Sequence, residues 1–285
     1  HTDPLHWTGP YMNWNTRCAE CHSTNVEKRY DAATRSFDTR FSTVDVSCEA
    51  CHGPGEAHLK LVENGGVAEV AGAGFPLALG QRGDWAFNDG AAIASRLEPL
   101  QGNTQIDSCG RCHSRRGTLG EYHYGKPILD THRLALPESP LYYHEVFVYG
   151  SWVQSNMHQA GVVCSNCHEP HSLQLRAPGN GVCAQCHQAA VYDQPEHHHH
   201  PQASSGAACA NCHMPETTYM VVDPRRDHSM RIPRPDLSVT MGVPNACNQC
   251  HTNKDANWAL ASVRDWGVNF TDSSSHPARA LQRLH

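Results

Sequence analysis

The sequence predicts a chain that is mainly α and coil, with little regular secondary structure. Three observations support this expectation. The 285 residues include 22 Gly and 18 Pro, which interrupt the chain too often for long helices or strands. Hydrophobic residues make up only 39% of the chain, which limits the core that the polypeptide can build by itself. All 14 Cys belong to one repeated five-residue pattern.

The repeated pattern is Cys-x-x-Cys-His, which occurs seven times; we number the motifs 1 to 7 in chain order. Two thiols at this spacing can bond the two vinyl-derived carbons on one edge of a porphyrin, and the adjacent His can reach the iron. Zinc ribbons or disulfides, the alternative, would not require a His after every second Cys. The thiols are Cys18, Cys21, Cys48, Cys51, Cys109, Cys112, Cys164, Cys167, Cys183, Cys186, Cys209, Cys212, Cys247 and Cys250. The proximal iron ligands are His22, His52, His113, His168, His187, His213 and His251.

Seven covalent haem c groups, each with one iron, are therefore predicted, and the fold class is a haem-dominated multihaem cytochrome c. About 41 residues per haem leave the porphyrins to supply much of the core. Motifs 1 to 3 are widely spaced and motifs 4 to 7 are close. This spacing predicts a three-haem lobe over residues 1–145 and a four-haem lobe over 146–285, joined near 141–150, unless the haem chain continues through one domain.

A few short elements are expected between the motifs. Helices are predicted at 57–63, before a Gly pair, at 91–97, before Pro99, and at 254–266. Alternating residues at 145–149 and 217–222 predict short strands, which could form one small hairpin. Each motif is expected to open a helical turn.

The haem motifs and the charge predict an exported electron-transfer protein. Covalent haems are attached on the outer side of the energy-transducing membrane, so a periplasmic or extracellular location is expected. The first residues do not resemble a signal peptide, so a mature chain or a fragment is expected, with no membrane span. The formal charge of −6 becomes roughly −13 with seven ferric haems. This charge argues against nucleic acid and favours a redox partner protein or an extracellular acceptor.

Histidines outside the motifs are candidates for the second axial position of each iron. A His that closely follows its own proximal His cannot easily reach the opposite face of the same porphyrin, so it should bind a neighbouring haem. This argument applies to His58 and His171. The predicted distal ligands, which match the number of irons, are His6, His58, His144, His158, His171, His200 and His228. His197 is the main rival to His200, and Met157, Met214, Met230 or Lys126 could replace a His. Mostly bis-His, low-spin haems of low potential are expected.

The remaining histidines and two arginine pairs have other expected roles. The histidines, which we expect to be solvated or to bind propionates, are His1, His123, His132, His276 and His285. Arg115-Arg116 and Arg225-Arg226 are candidates for pairing with haem propionates, because the guanidinium fork suits carboxylates. A solvated basic loop is the alternative for each pair.

The sequence segments around the motifs resemble those of a known family. The segments are Trp14-Asn-Thr-Arg-Cys-Ala-Glu-Cys-His-Ser-Thr-Asn, Cys48-Glu-Ala-Cys-His-Gly-Pro-Gly, Cys112-His-Ser-Arg-Arg-Gly, Tyr149-Gly-Ser-Trp, Gly161-Val-Val-Cys and Cys212-His-Met-Pro. They resemble exported multihaem cytochromes that carry tetratricopeptide repeats. That family usually has a further haem motif upstream and helical repeats downstream, so the chain is expected to be its haem domain.

Cys-His-Gly-Pro-Gly and Cys-His-Met-Pro are also similar to segments of the tetrahaem cytochrome of ammonia oxidisers and of pentahaem nitrite reductase. This similarity implies stacked and perpendicular haem pairs, with His58 as a distal ligand, and transfers no activity. Pentahaem nitrite reductase marks its catalytic haem with Cys-x-x-Cys-Lys, which this chain lacks.

Electron transfer along the haems, without catalysis, is therefore the first functional hypothesis. A second is a reductase or oxidase of a small nitrogen or sulfur oxyanion at one open haem, which is most readily sought in the sparser first lobe. A third is an extracellular filament in which one subunit supplies a distal His to the next; His1, His6 or His285 would suit that role.

Overall fold

The computed structural model describes residues 6, 8–9, 12–66, 71–134, 147–219 and 222–270. Short helices and two-stranded ladders alternate along these ranges, with irregular chain between them. The predicted fold class, mainly α and coil, is confirmed. Within the described ranges, no helix is both long enough and apolar enough to cross a membrane.

The helices rarely exceed two turns, because Gly and Pro punctuate the sequence. In chain order they are α1 Ala19–His22, α2 Cys48–His52, α3 Glu56–Glu63, α4 Thr104–His113, α5 Val148–Trp152, α6 Asn156–Gln159, α7 Cys164–Cys167, α8 Gly181–Ala184, α9 Ala189–Tyr192, α10 Pro195–His198, α11 Cys209–His213, α12 Pro235–Met241, α13 Cys247–Cys250 and α14 Ala256–Asp265. A π-helical turn, Trp14–Cys18, leads into α1.

The strands form two-stranded ladders rather than one sheet. They are β1 Tyr30–Asp31, β2 Ser36–Phe37, β3 Trp85–Ala86, β4 Ser95–Arg96, β5 Arg116–Thr118, β6 His132–Leu134, β7 His168–Glu169, β8 Gln174–Leu175, β9 Glu216–Tyr219 and β10 Asp223–Arg226. The strands pair in five separate ladders, β1 with β2, β3 with β4, β5 with β6, β7 with β8 and β9 with β10. In the β5–β6 ladder, Arg116 is opposite Leu134 and Thr118 is opposite His132.

The chain divides into two compact units. The first comprises His1–Gln81, Leu100–Leu134 and Tyr219–Asp223, and the second comprises Arg82–Pro99, Ala135–Thr218 and Pro224–His285. Motifs 1 to 3 lie in the first unit and motifs 4 to 7 in the second. The units exchange segments, whereas the predicted lobes 1–145 and 146–285 are continuous. Residues 135–146, which include most of the expected junction, lie outside the described residues.

Each unit has a small apolar core. Ile106 and Ile128 are 1% and 0% exposed in the first unit, and Val163 and Ala259 are 1% and 0% exposed in the second. Other large apolar side chains are at the surface, including Leu59 and Leu119. So few buried aliphatic residues agree with the expectation that porphyrins would complete the core.

Several predicted elements are confirmed. The helix expected at 57–63 is α3, which ends before Gly65, and the helix expected at 254–266 is α14. The Asp255 carboxylate accepts a hydrogen bond from the backbone of Trp258 and so begins α14. The strand expected at 217–222 is β9, but its partner is β10.

Two predicted elements are wrong. The segment 91–97 is extended rather than helical, because Ala94 N–H donates to the Cys186 carbonyl at 2.8 Å and Gln188 N–H donates to Ala92 at 2.9 Å. A long-range contact with motif 5 therefore overrides local helix propensity. The strand expected at 145–149 is wrong for the described residues 147–149, since α5 begins at Val148.

The packing of α12 against α14 predicts the effect of a core substitution. Leu237 is 4% exposed, beside the buried face of α14. We expect Leu237→Ala to lower the free energy of unfolding by about 2–4 kcal/mol, because it leaves a cavity. Val239→Ala, on the 40% exposed side of α12, should cost less than about 1 kcal/mol. Urea unfolding followed by far-UV circular dichroism measures both; equal losses would contradict this packing.

Candidate functional site

All seven motifs lie on or beside helical turns, as the sequence predicts. They coincide with α1, α2, the end of α4, α7, α8, α11 and α13. A spacing of three residues on a helical turn places both thiols on the same side of the chain. None of the fourteen cysteines forms a disulfide, and each residue is at least partly exposed.

Three proximal histidines of the second unit each lie opposite another His ring. The ring centroids are 6.3 Å apart for His168 and His228. They are 6.1 Å apart for His213 and His197, and 6.1 Å apart for His251 and His200. Iron–nitrogen bonds of about 2.0 Å, with about 1.1 Å from each nitrogen to its ring centre, predict about 6.2 Å for two axial ligands of one iron. The three pairs therefore have the spacing that bis-His coordination requires.

Backbone carbonyls orient one ring of every pair. Nδ1 of His228 lies 2.9 Å from the Arg226 carbonyl oxygen, and Nδ1 of His213 lies 2.9 Å from that of Arg231. Nδ1 of His200 is within hydrogen-bonding distance of the His198 carbonyl. A metal-bound His usually donates its second N–H to such an oxygen, which fixes the tautomer and leaves Nε2 for the metal. The donors therefore fit an iron between the rings.

Two further histidines have a buried ring nitrogen without a hydrogen-bond partner. These atoms are Nε2 of His158, a predicted distal ligand, and Nε2 of His198, which the sequence did not single out. The Ser155 side chain accepts a hydrogen bond from the His158 backbone at 3.1 Å and begins α6 there. A buried, unpaired imidazole nitrogen is costly unless it binds something. Both atoms are suitable iron donors.

In the run from His197 to His200, the sequence predicts one ligand, His200 or its rival His197, and the structure places both rings opposite motif histidines. His197 lies on helix α10, opposite His213, whereas His200 lies opposite His251. Between them His199 has a left-handed backbone, with φ 55°, and its ring stacks on Trp266 at 4.4 Å between centroids. This reversal turns His197 and His200 toward different motifs.

In the first unit, His58 is held as a ligand would be. Its Nδ1 lies 2.7 Å from the Ala73 carbonyl oxygen, and its ring stacks on Phe75 with centroids 4.5 Å apart. Gly74 permits this approach: it has φ 81°, and a Cβ there would lie 3.0 Å from the His58 backbone. The contact leaves His58 Nε2 directed away from the turn.

The structure gives less information on the ligand role of the other predicted distal histidines. His6 contacts Thr8 through Nδ1 at 2.8 Å. His171 is 79% exposed at its side chain and lies 3.3 Å from Glu169. His144 lies outside the described residues, as do three histidines expected to be solvated or to bind propionates, His1, His276 and His285. His123 is exposed.

His132, which is expected to be solvated or to bind a propionate, is not solvated. It is 4% exposed, and its Nδ1 lies 2.9 Å from Thr131 Oγ1. Burial, and then the nearby Arg116, lower its pKa from the ordinary value, so the ring stays neutral. Strand β6 carries His132 into the unit, which its isolated position in a polar sequence did not reveal.

Two of the four arginines that are expected to pair with propionates or to lie in solvated loops bind the polypeptide. Arg226 donates to the Ala210 and Met214 carbonyls, each at 3.2 Å, and so binds both ends of motif 6. Arg116 donates to Glu20 at 3.2 Å. Arg225 lies over the Phe147 ring at 4.7 Å. A guanidinium fork satisfies carbonyls as readily as carboxylates, so the sequence did not distinguish these roles.

In the first unit, motif 3 contacts both motif 1 and motif 2. Cys21 Sγ lies 3.8 Å from the Cys112 carbonyl oxygen, and Cys112 Sγ lies 3.9 Å from that of Glu20. On the other side, Arg111 Nη1 donates to Ala50 at 2.7 Å, and Ser108 donates to the motif 2 backbone at 3.2 Å. Motif 3 therefore connects directly to both of the other motifs of this unit.

In the second unit, the motifs follow one another in chain order. Gln185 of motif 5 donates to the Asn166 carbonyl of motif 4 at 3.3 Å. Asn180, before motif 5, accepts from Cys209 N–H of motif 6 at 3.0 Å. Cys212 of motif 6 is close enough to both thiols of motif 7 for their charges to raise its pKa, in addition to the effect of burial. Neighbouring motifs are therefore in contact.

Thiol and imidazole pKa values follow from these contacts. A hydrogen bond with Cys112 lowers the pKa of the Cys21 thiol, and a hydrogen bond with Cys183 lowers that of the Cys209 thiol. Loss of hydration lowers the pKa of His187 below its ordinary value. Neutral imidazole is the form that binds metal.

Comparisons with known proteins agree with this arrangement. The family model of cytochrome c7 and related cytochrome c matches residues 169–252, and that of cytochrome c554 and c-prime matches residues 8–53. No curated protein sequence matches the chain. The fold is similar to the crystal structure of the outer cell wall cytochrome OcwA, with a TM-score of 0.56 and 19% identity. The match covers 89% of this chain and 63% of OcwA.

Cytochrome segments thus match toward both ends of the described chain, across motifs 1 and 2 and across motifs 5 to 7. These families carry covalent haem c, for which Cys-x-x-Cys-His is the attachment motif. The tetratricopeptide-associated family is not among the matches, so that resemblance stays a prediction. The comparisons support multihaem c-type cytochrome families, with a fold like that of OcwA.

Proposed function

We propose that the protein transfers electrons through seven covalently bound haem c groups, most of them with two axial His ligands. The observation that carries this proposal is the set of three His pairs at 6.1–6.3 Å, each containing one motif His. Bound haem supplies a one-electron ferric/ferrous couple. The chain supplies the axial nitrogens, the carbonyls that orient them, and contacts between successive motifs.

The axial pairs that we assign are His168 with His228, His213 with His197, and His251 with His200. His197 to His200 then completes two irons from one tetrapeptide, which fixes their separation. The buried Nε2 atoms of His158 and His198 are further donors for the second unit, where His187 still needs a partner. His58 is the corresponding donor in the first unit.

The contacts between motifs support a route for electrons. Because neighbouring motifs touch, porphyrins attached to them would lie close together, and tunnelling between close cofactors needs no bound substrate. The proposed routes are 1, 3, 2 in the first unit and 4, 5, 6, 7 in the second. Chain order and electron order therefore differ in the first unit.

An exported location and an external redox partner complete the proposal. Covalent haem attachment requires export, and the structural relative is named as a protein of the outer cell wall. We place this chain in the periplasm or outside the cell, with a redox protein or an extracellular acceptor as its partner. The reductase and filament hypotheses have no comparable geometric support among the described residues.

Substitution of the distal histidines tests the proposal. We expect His197→Ala, His200→Ala and His228→Ala each to convert one low-spin haem of seven into a high-spin haem that binds carbon monoxide, because one axial position opens. Electron paramagnetic resonance and carbon monoxide difference spectra measure this change.

The control is His123→Ala, at an exposed ring, which should leave all haems low-spin. A wild-type spectrum for all three distal variants, with seven haems retained, would contradict the assignment. Carbon monoxide binding to about one haem in seven of the unmodified protein would favour the open-haem enzyme instead.

Gly206 provides a second test, since it lies against the ring of His200. A Cβ at this position would lie less than 3.0 Å from three atoms of that ring, which an axial ligand could not avoid by moving. We expect Gly206→Ala to weaken His200 coordination and to produce the high-spin signal of His200→Ala in part or in full. Gly120→Ala, where nothing lies within 4 Å, is the matched control. If both variants keep seven low-spin haems, His200 is not held at an iron.

A further inference from the structure

Glu20 has an unusual position at the contact between motifs 1 and 3. It lies between the two cysteines of motif 1, Cys18 and Cys21, so its backbone is fixed relative to any porphyrin attached there. Its carboxylate is only 19% exposed. A charge held this close to a haem edge, and partly removed from water, acts on the iron more strongly than a solvated surface charge.

Three side chains hold the Glu20 carboxylate. Lys28 Nζ lies 2.8 Å from Oε1, and Arg116 Nη2 lies 3.2 Å from Oε2. Thr118 Oγ1 lies 2.8 and 2.9 Å from the two oxygens, so its single proton is shared between them. Each oxygen therefore has two partners, and the carboxylate cannot swing into solvent without losing them.

Arg116 and Thr118 connect this carboxylate to the neighbouring motif. Both lie on β5, which begins three residues after His113 of motif 3. Arg116 is only 9% exposed at its side chain, and its Nη2 also lies 3.9 Å from Cys21 Sγ. The group of Glu20, Lys28, Arg116 and Thr118, which we call the clasp, therefore joins motif 1 to the chain that follows motif 3.

We propose that the clasp sets the reduction potential of the haem pair at motifs 1 and 3, with Glu20 lowering it and Arg116 raising it. A ferric haem carries one more positive charge than a ferrous haem, so a fixed carboxylate favours the ferric state and a fixed guanidinium favours the ferrous state. The inference rests on the proposed function, because it requires haem at both motifs. It adds that the reduction potential of this haem pair depends on the charges of Glu20 and Arg116 as well as on the axial ligands.

The experiment compares opposite charge changes in the haem-loaded protein. We expect Glu20→Gln to shift the potential of one or two haems upward and Arg116→Gln to shift it downward. Each shift should change the reduction equilibrium constant by about three- to tenfold, or about 30–60 mV at 59 mV per tenfold. Spectroelectrochemical titration measures the potentials, and the pyridine haemochrome assay measures haem content.

Two controls separate charge from structural damage. Glu27→Gln removes a carboxylate that is 67% exposed and should leave the potentials unchanged. Arg116→Lys keeps the charge and should keep the potential within a twofold change in the equilibrium constant. General loosening of the structure would move Glu20→Gln and Arg116→Gln in the same direction. That result, or no shift in either variant, would overturn the inference.

Failure of this inference differs from failure of the proposed function. If the unmodified protein contains fewer haems than motifs, or lacks haem at motifs 1 and 3, the proposed function fails before any clasp variant is compared. If all seven haems are present and low-spin but both charge variants keep wild-type potentials, only the role of the clasp is wrong.

Discussion

Two imidazole rings held about 6 Å apart by the fold are the constraint on which the rest of the second unit depends. Under the proposed bis-His coordination, each iron takes one imidazole nitrogen on each face of the porphyrin, and the motif supplies only one. The second must come from a different segment, fixed by its own contacts. Backbone carbonyls supply that orientation for two of these second ligands, Arg226 for His228 and His198 for His200. Arg226 and His198 are the last residues of β10 and α10, and carbonyls at the end of an element are available for such contacts.

The use of the chain to position imidazole rings also explains why the helices and strands are so short. An ordinary domain of this size buries many aliphatic side chains, whereas only a few of the described residues, such as Ile106, Ile128 and Val163, are almost fully buried. Contacts between motifs, such as those of Arg111 with Ala50 and Gln185 with Asn166, take over part of the stabilisation. The polypeptide then serves mainly to position porphyrins, with hydrogen bonds to backbone rather than a continuous apolar core.

Motifs and helix ends could be predicted from neighbouring residues, whereas contacts between segments distant in the chain could not. The motifs were recognisable because covalent attachment needs five consecutive residues, and α3 and α14 because their stop and start signals are adjacent. The segment 91–97 was mistaken for a helix, since its partner at Cys186 is distant in the chain. His197 and His200 could not be ranked from composition. The left-handed residue between them, His199, directs them to different motifs. The burial of His132 likewise depends on a strand pairing that no local pattern signals.

A density map of the haem-loaded protein that resolves both ligands of every iron is the most direct test of this account. The account predicts seven haems, with His168 and His228 on one iron, His213 and His197 on a second, and His251 and His200 on a third. It also predicts that haems of motifs 1 and 3 are direct neighbours. A map in which these three pairs bind no common iron, or in which the motif thiols carry zinc or disulfides, would contradict it.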